Sequence, residues 1–311
     1  MEKNELNYST VFENMVNGME NYVQTSGMQT MILGISGGID STVVAAVCHE
    51  VSKRTSVKLI GVSLMCSTNQ VDEVTTADLV GEAFCDEYYK ENIEDVYEKT
   101  SEFFVNSPAV LGRSTKISEG NIKARIRMMY LWNLGGLRNG VVMDTDNMTE
   151  HYLGFWTIMG DSNYITPIGQ LWKTEVYGLA KYLVGYYASK CIHDGDKSDC
   201  KCSDAIHESA KLIPTDGNGV SSSDLEQIAP GYTYYDVDDI LRRWVGLDAD
   251  AQGHYLVHGF KTSDAYFAPV VLKYGEETVK RVIMRSVNSE FKRKHLPLSI
   301  NIDNGDIVEG R

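Results

Sequence analysis

The stretch MILGISGGIDSTVVAAV, Met31 to Val47, decides how this chain is read. Met31 to Ile35 is a short apolar run that stops at small polar residues. From Thr42 to Val51, apolar residues return at Val43, Val44, Val47 and Val51, a helical spacing. The turn between is Ser36-Gly37-Gly38-Ile39-Asp40-Ser41. Its adjacent glycines reach backbone angles that other residues resist, and they leave no Cβ to obstruct an anion approaching the amides at a helix start. Serine hydroxyls at both ends add donors. The lysine of a GxxxxGK[ST] loop is missing, so the turn is not built to hold β- and γ-phosphates for γ-phosphoryl transfer. A carboxylate beside bound phosphates needs a divalent cation between them, which suits Asp40 to a magnesium ion. An ordinary strand-to-helix turn, with Asp40 complementing the helix dipole, leaves the same pattern.

Composition permits a nucleotide-using enzyme without selecting one. At 311 residues and 43% hydrophobic content the chain can bury a substantial core. No long apolar segment suggests a membrane span and the N-terminus shows no signal-peptide pattern, so the expectation is a cytoplasmic protein without a membrane partner. A formal charge of −14 argues against a broad nucleic-acid interface, which needs lysine and arginine against phosphates. Six cysteines, at 48, 66, 85, 191, 200 and 202, are too few and too scattered for a disulfide framework. Cys191, His193, Cys200, Cys202 and His207 invite a zinc site, but the spacing matches no paired Cys-x-x-Cys pattern and reduced thiols are expected. His254 and His258 could share a helix face. The Asn-x-Ser/Thr matches at Asn7 and Asn147 are read as chance.

Outward from the turn, Met1 to Gln24 reads as a polar helix with Val11, Met15 and Met19 at helical spacing, Val57 to Met65 as a strand, Asn69 to Phe84 and Glu94 to Phe104 as helices. Such alternation favours a parallel sheet wrapped by helices, with ligands beyond the carboxyl ends of the strands. In GNIKARIRMMYLWNLGG, Gly120 to Gly136, an apolar face of Ile122, Ile126, Met129 and Tyr130 lies beside Lys123 and Arg127, one turn apart, and Asn121 and Arg125, likewise. This helix either aims cations into a site or carries solvated surface charges. A short strand, Gly140 to Asp144, then opens into TDNMTEHYLGF, Thr145 to Phe155. Thr145 can hydrogen-bond a base or ribose there. Glu150 is either a second magnesium carboxylate or a helix-start charge.

The SGGIDS string resembles the signature of the N-type ATP pyrophosphatases, which adenylate a substrate oxygen, release pyrophosphate and let a nucleophile displace AMP. GNIKARIRM, TDN with Glu150 five residues after Thr145, LGF, Gly160-Asp161, Pro167 and LWKTEV at Leu171 to Val176 then narrow the resemblance to the ammonia-dependent NAD synthetase family. It runs from about residue 30 to about 182, with weaker echoes beyond. It implies an α/β fold like the adenine nucleotide alpha hydrolases: a parallel sheet with helices on both faces and a helical C-terminal extension. One such domain would span 1–311, with an N-terminal helical segment at 1–28 and the extension at 190–311. The implied substrates are ATP, with Mg2+, deamido-NAD and ammonia; the products are NAD, AMP and pyrophosphate. A homodimer is implied as well.

Carried onto matching positions, the resemblance gives Gly34, Ser36, Gly37, Gly38, Ser41, Arg127, Thr145, Lys173 and Thr215 to ATP, and Asp40 and Glu150 to the metal. It assigns Asn121, Arg125, Asp161 and Lys292 to the dinucleotide substrate, and Asp40, Asp161 and Lys173 to catalysis. Independently of any family, charge spreading over the α-phosphate and the leaving pyrophosphate calls for preorganised cations and amide donors. Neutral ammonia is the nucleophile, so a carboxylate such as Asp161 could gather ammonium and help remove its proton. Lys173 as a surface charge at a helix start, and Lys292 as a cation at a helix C-terminus, are the simpler alternatives. Ile213 to Leu225, rich in glycine, serine and aspartate, resembles a family loop that closes over the substrates, and closure would exclude water.

The chain departs from the family pattern at Asp144, where glycine is common, and at Ser162-Asn163-Tyr164, one residue short of the usual run. Stretches 194–211 and 245–270 look long and carry no assigned function. Two other classes stay open beside the amide ligase: another adenylating enzyme, GMP-synthetase-like or tRNA-modifying, and a nucleotide-binding homologue that has lost its chemistry.

Overall fold

Alternation along Met31-Ile32-Leu33 divides the core. In the structure, a computed structural model that describes residues 6–110, 113–161, 163–194, 197–215, 218–219, 225–226, 228–294, 299–300 and 307–308, these three side chains are fully buried but face opposite ways. Met31 and Leu33 join one apolar cluster, Ile32 another. A strand buried on both faces reads as a continuous apolar run, as this one does.

Contacts group the chain into two compact units, Met1–Met148 with Trp156–Asp224, and Thr149–Phe155 with Leu225–Arg311. The first runs α1 (Tyr8–Ser26), β1 (Thr30–Gly34), α2 (Ile39–Arg54), β2 (Lys58–Met65), α3 (Val71–Phe84), β3 (Glu87–Asn92), α4 (Glu94–Val105), α5 (Lys116–Leu137) and β4 (Gly140–Val142). Next in the chain comes α6 (Met148–Leu153), which falls to the second unit from Thr149 on; α7 (Lys173–Asp194) and α8 (Lys197–Ser209) return to the first. The second unit continues with α9 (Tyr234–Val245), α10 (Ala249–His258), α11 (Ala268–Tyr274), α12 (Glu276–Asn288), α13 (Glu290–Arg293) and the antiparallel pair β5 (Ser299–Ile300) and β6 (Ile307–Val308).

The sheet of the first unit has the order β3-β2-β1-β4, all parallel, with Ile32 opposite Ile60 on one side and Val142 on the other. Successive strands step outward from β1 to β3, then β4 returns to the opposite side of β1. The carboxyl ends of β1 and β4 therefore flank a topological switch point, where such sheets hold ligands. Helices α1, α2, α3, α7 and α8 supply the cluster on one face; α4 and α5 supply the other. The expected fold class, helices on both faces of a parallel sheet, is what the chain adopts.

Three local expectations change. Helix α1 packs against α2 and α7 through Phe12, Val16, Met19 and Val23, with Val11 and Met15 flanking that face rather than centring it. On α5, Ile126 is buried as expected, but Met129 is 62% exposed, and Lys123, Ala124, Met128 and Leu131 take the inner face. The expectation of reduced thiols fails at Cys191 and Cys200, which form a disulfide: α7 and α8 pack side by side and bring their Cα atoms to 5.4 Å. Cys202 stays a thiol, its sulfur donating to the Ala83 carbonyl. Among the described residues no group of three histidine, cysteine or acidic side chains is arranged to hold a metal. The His193 side chain lies outside the description. No described helix is long and apolar enough to cross a membrane.

The second unit is built on α9, whose Val237, Ile240, Leu241 and Trp244 turn inward, as do Val279, Val282 and Ile283 of α12. Three cations close the carbonyl end of α6: Arg285 donates to Leu153 O at 2.7 Å, Arg293 to Tyr152 O at 3.0 Å and Lys292 to Gly154 O at 2.7 Å. Helix carbonyls without intrahelical partners favour cations there. The long stretch 245–270 resolves into α10 and the turn leading to α11, and His254 and His258 do share a face of α10, their rings tilted with centroids 4.5 Å apart.

Candidate active site

The turn after β1 is a network of hydroxyls around two glycines. Gly37 takes φ +84°, and a Cβ there would meet Glu73 O at 2.4 Å and Ala77 N at 2.9 Å, both backbone atoms of α3. Only glycine fits that left-handed angle and that approach. Gly38 is the N-cap of α2, its N–H donating to Ser36 Oγ at 3.2 Å. Ser36 Oγ lies 3.0 Å from Ser41 Oγ, and Ser41 Oγ donates to Gly38 O at 3.0 Å. Ser36 is exposed, so the amide end of α2 opens outward beside it. Gly34 ends β1 beneath the turn, with room beyond its Cα limited to 3.3 Å by Leu131 Cδ1.

Asp40, in the first turn of α2, joins three segments. One carboxylate oxygen accepts from Asn147 Nδ2 at 2.8 Å and the other from the ammonium of Lys173, the first residue of α7. The Lys173 side chain is 2% exposed and that of Asp40 16%. A lysine this deeply buried needs its carboxylate, since an uncompensated charge in the interior costs several kcal/mol. The alternative reading of Lys173 as a surface charge is thereby excluded. Asn147, wholly buried, is a site residue that sequence reasoning passed over as a chance glycosylation match. Its place two residues after Thr145, beyond the end of β4, was the available signal.

Arg127 reaches the carboxyl end of β2. Its guanidinium donates to Leu64 O at 2.9 Å, Cys66 Sγ at 3.2 Å, Asn69 Oδ1 at 3.3 Å and to Asn218 Oδ1. Lys123, one turn away, donates to Thr68 Oγ1 and Asn218 O, both at 3.3 Å, and sits over the Tyr97 ring. The surface-helix reading of α5 therefore fails for these two cations. Thr145 is half-buried just past β4. Thr215 donates to Glu73 Oε1 at 2.5 Å, at the N-terminus of α3. Of the expected closing segment, residues 216–217 and 220–224 lie outside the described residues; Thr215, Asn218 and Gly219 rest on α3, α5 and the β2–α3 connection.

A second polar cluster surrounds Asp161. Its carboxylate accepts from Thr157 N at 2.7 Å and closes the turn 157–161; Thr157 Oγ1 donates to Asn121 Oδ1 at 2.8 Å, and Arg125 donates to Ile158 O at 3.3 Å. Asn121, Arg125 and Asp161 thus all engage the 157–161 turn. The two sequence departures meet there as well. Asp144, 4% exposed, accepts from Asn163 N and Asp146 N, each at 2.7 Å, so the extra carboxylate holds the shortened segment. Ser162 itself lies outside the described residues. Burial pushes the Asp144 carboxyl up to about 6, against the pull of the backbone N–H donors and assisted by the nearby Asp161 charge. Among the described residues, Asn163 Oδ1 is buried without a hydrogen-bond partner.

Glu150 and Lys292 belong to the second unit. Glu150 stands in the first turn of α6, and Lys292 caps the Gly154 carbonyl.

The chain matches the family model described as NAD synthase over residues 11–296. An NH(3)-dependent NAD(+) synthetase of Campylobacter jejuni subsp. doylei is 35% identical over 181 residues, covering 57% of this chain and 69% of that protein. One of Chlorobium phaeovibrioides is 31% identical over 180 residues, covering 58% and 62%. Among solved structures, NMN synthetase from Francisella tularensis superposes with a TM-score of 0.69 at 23% identity, covering 96% of this chain and 100% of the other. The NH3-dependent NAD synthetase from Campylobacter jejuni in complex with nitrate gives 0.63 at 23%, covering 95% and 100%. These two show the fold; the sequence matches show more. With its glycine turn, its Asp40–Lys173 pair and a match across nearly its whole length, this chain belongs to the NAD synthase family, ATP-using ligases of NAD biosynthesis.

Proposed function

We propose that the protein amidates deamido-NAD with ammonia, using ATP and Mg2+ through an adenylate, and releases NAD, AMP and pyrophosphate. The observation that carries this reading is the meeting of Gly37-Gly38, Asp40, Asn147 and Lys173 at the switch point between β1 and β4. Amide N–H groups at the start of α2, with Ser36 and Ser41, suit an anion of pyrophosphate size. Lys173 and Arg127 are fixed cations for charge that develops on the α-phosphate and the leaving group, where preorganisation lowers the barrier most. Thr145 supplies a hydroxyl for the nucleoside, and Thr215 a hydroxyl from the segment that follows α8.

Magnesium fits the donor set. The ion is held in nucleotide enzymes by one or two carboxylates plus phosphate oxygens and water rather than by a protein cage. Asp40 offers a hard, partly exposed carboxylate of that kind, and Glu150 is the second candidate on the strength of the motif. When bound, the cation would offset phosphate charge beside Asp40.

Asp161 supplies acceptor oxygens on the ammonia side, and Asn163 Oδ1 adds a buried acceptor close by in sequence. An acceptor-only surface gathers ammonium, and a carboxylate can take the proton that leaves neutral ammonia as nucleophile. Asn121 and Arg125 stand with Asp161 as the dinucleotide contacts. Lys292, engaged with Gly154 O, remains a substrate candidate from the motif, as one of three cations at that helix end. An exposed apolar face of α5, made of Met129, Trp132 and Leu137 with Tyr164 edge-on to Trp132, supports a homodimer. The proposed compartment is the cytoplasm.

A second reading, with the mononucleotide NMN as the product, follows from the departure at Asp144 and Asn163 beside the proposed dinucleotide contacts, where the size of the accepted substrate would be decided. One assay separates them. Purified protein with ATP, Mg2+ and ammonium is offered the acid forms of NAD and of NMN, alone and in competition, while the amides, AMP and pyrophosphate are followed. NAD with equimolar AMP is the expected result. ADP in place of AMP would refute the bond cleavage, and a preference for the mononucleotide would move the assignment to NMN.

A further inference from the structure

Ser209 ends α8, inside the long stretch 194–211 to which the sequence assigns no role. It is 1% exposed, and its hydroxyl donates to Gly37 O at 2.8 Å. Thr42 Oγ1, also buried, lies 2.7 Å from Ser209 Oγ and donates to Gly38 O at 2.9 Å. These are contacts between the far end of α8 and the backbone of the glycine turn.

The peptide joining Gly37 to Gly38 is planar, so its carbonyl and its N–H point in opposite directions. With the carbonyl drawn inward to Ser209, the Gly38 N–H is turned outward to the exposed side of the turn, where it meets Ser36 Oγ. Two adjacent glycines can adopt either orientation of that peptide at little steric cost. Something outside the turn has to choose, and the buried hydroxyl is placed to do so. A flipped peptide would present a carbonyl oxygen to a phosphate.

We propose that Ser209 is a positioning residue that sets the Gly37–Gly38 peptide with its N–H toward the phosphate-binding side, giving α8 a role in preparing the turn for ATP. This rests on the reading that Ser36 to Ser41 holds the pyrophosphate portion of ATP. It adds a control on that site from an element with no motif of its own. The cost of losing one oriented donor falls on ligands held by the glycine turn, whereas a general loosening of the fold would also weaken a dinucleotide held at Asn121, Arg125 and Asp161.

The test compares wild type, Ser209→Ala and Ser209→Cys by calorimetric titration with Mg2+–ATP, inorganic pyrophosphate and deamido-NAD, with thermal melting as a check on folding. The cysteine variant fills the pocket but donates weakly, so it keeps a folded readout if the alanine variant does not fold. Ser209→Thr, which retains the hydroxyl, is the rescue. Pyrophosphate and ATP are expected to bind about tenfold more weakly to the alanine and cysteine variants. Deamido-NAD should bind within about twofold of wild type, and threonine should recover part of the loss. Equal pyrophosphate affinity in wild type and both variants overturns the proposal, as does a parallel loss for pyrophosphate and deamido-NAD. Wild type that binds neither ATP nor pyrophosphate overturns the functional reading beneath it instead.

Discussion

Asp40 and Asp144 are both carboxylates at the sheet's carboxyl edge, yet their surroundings set them opposite tasks. Asp40 faces a buried ammonium and an amide. Replacing it by asparagine removes the charge opposite Lys173, so Asp40→Asn should lose turnover by about 10²-fold or more and stability by about 3 kcal/mol. Steady-state assays and urea unfolding check the two, and unchanged turnover would remove Asp40 from the chemistry. Asp144 instead holds its proton up to about 6 in the fold, above the ordinary aspartate value, because burial outweighs its N–H donors. Between pH 4 and pH 6 the folded chain therefore binds more protons at this group than the unfolded chain, and its contribution to stability falls as pH rises through that window. Asp144→Asn abolishes the titration. Urea unfolding of the two proteins should diverge across that window, the wild type losing ground as pH increases, by an amount on the order of 2–3 kcal/mol. Curves that stay parallel would show that Asp144 ionises in the fold as freely as in solvent. The sequence marked Asp40, Arg127 and Asp161 because charged residues at a change of period, or in an ordered motif, stand out. It marked Asn147 only by its place past β4 and could not mark Ser209, since a polar side chain's value lies in the partner that folding brings to it.

At the scale of elements, the glycine turn is a joint among α2, α3 and α8. Gly37→Ala would place a methyl group 2.4 Å from Glu73 O in a left-handed backbone angle. The expected cost is about 1–3 kcal/mol for the angle alone, more with the contact. ATP binding should fall with it, whereas Gly18→Ala, on α1 with open space beyond its Cα, should do neither. Melting and calorimetry on the pair would show it, and a Gly37 variant that binds ATP normally would refute the geometry. The strand, turn and helix from Thr30 to Arg54 were legible because the apolar period changes from continuous to helical at the glycines. Strand β3 was not: Glu87 to Asn92 carries one charged or polar residue after another, mostly exposed, and owes its form to the ladder with β2. Edge strands of this kind leave little apolar pattern to read. Helix α8 was equally hidden, as lysine, serine, aspartate and cysteine dominate its sequence.

For the molecule as a whole, composition set only the class. A core of this size and a net charge of −14 suit many enzymes, and the division into two units has no marker such as a proline-rich linker. Cysteine count was misleading for a physical reason: thiols pair by proximity in space, and Cys191 and Cys200 come together only once α7 and α8 have packed. The crosslink closes a ring of about ten residues, worth about 2–3 kcal/mol by loop-closure entropy. Cys191→Ser should lose that amount under oxidising conditions and nothing in the presence of a thiol reductant, as urea unfolding would show. Equal stability in both conditions would mean that the two sulfurs stay apart in solution. Because α8 runs from this bond to the hydroxyl that touches Gly37, handling history becomes an experimental variable: two batches of one protein, one purified with dithiothreitol and one in air, would be chemically different samples. Binding constants pooled across them would average two populations.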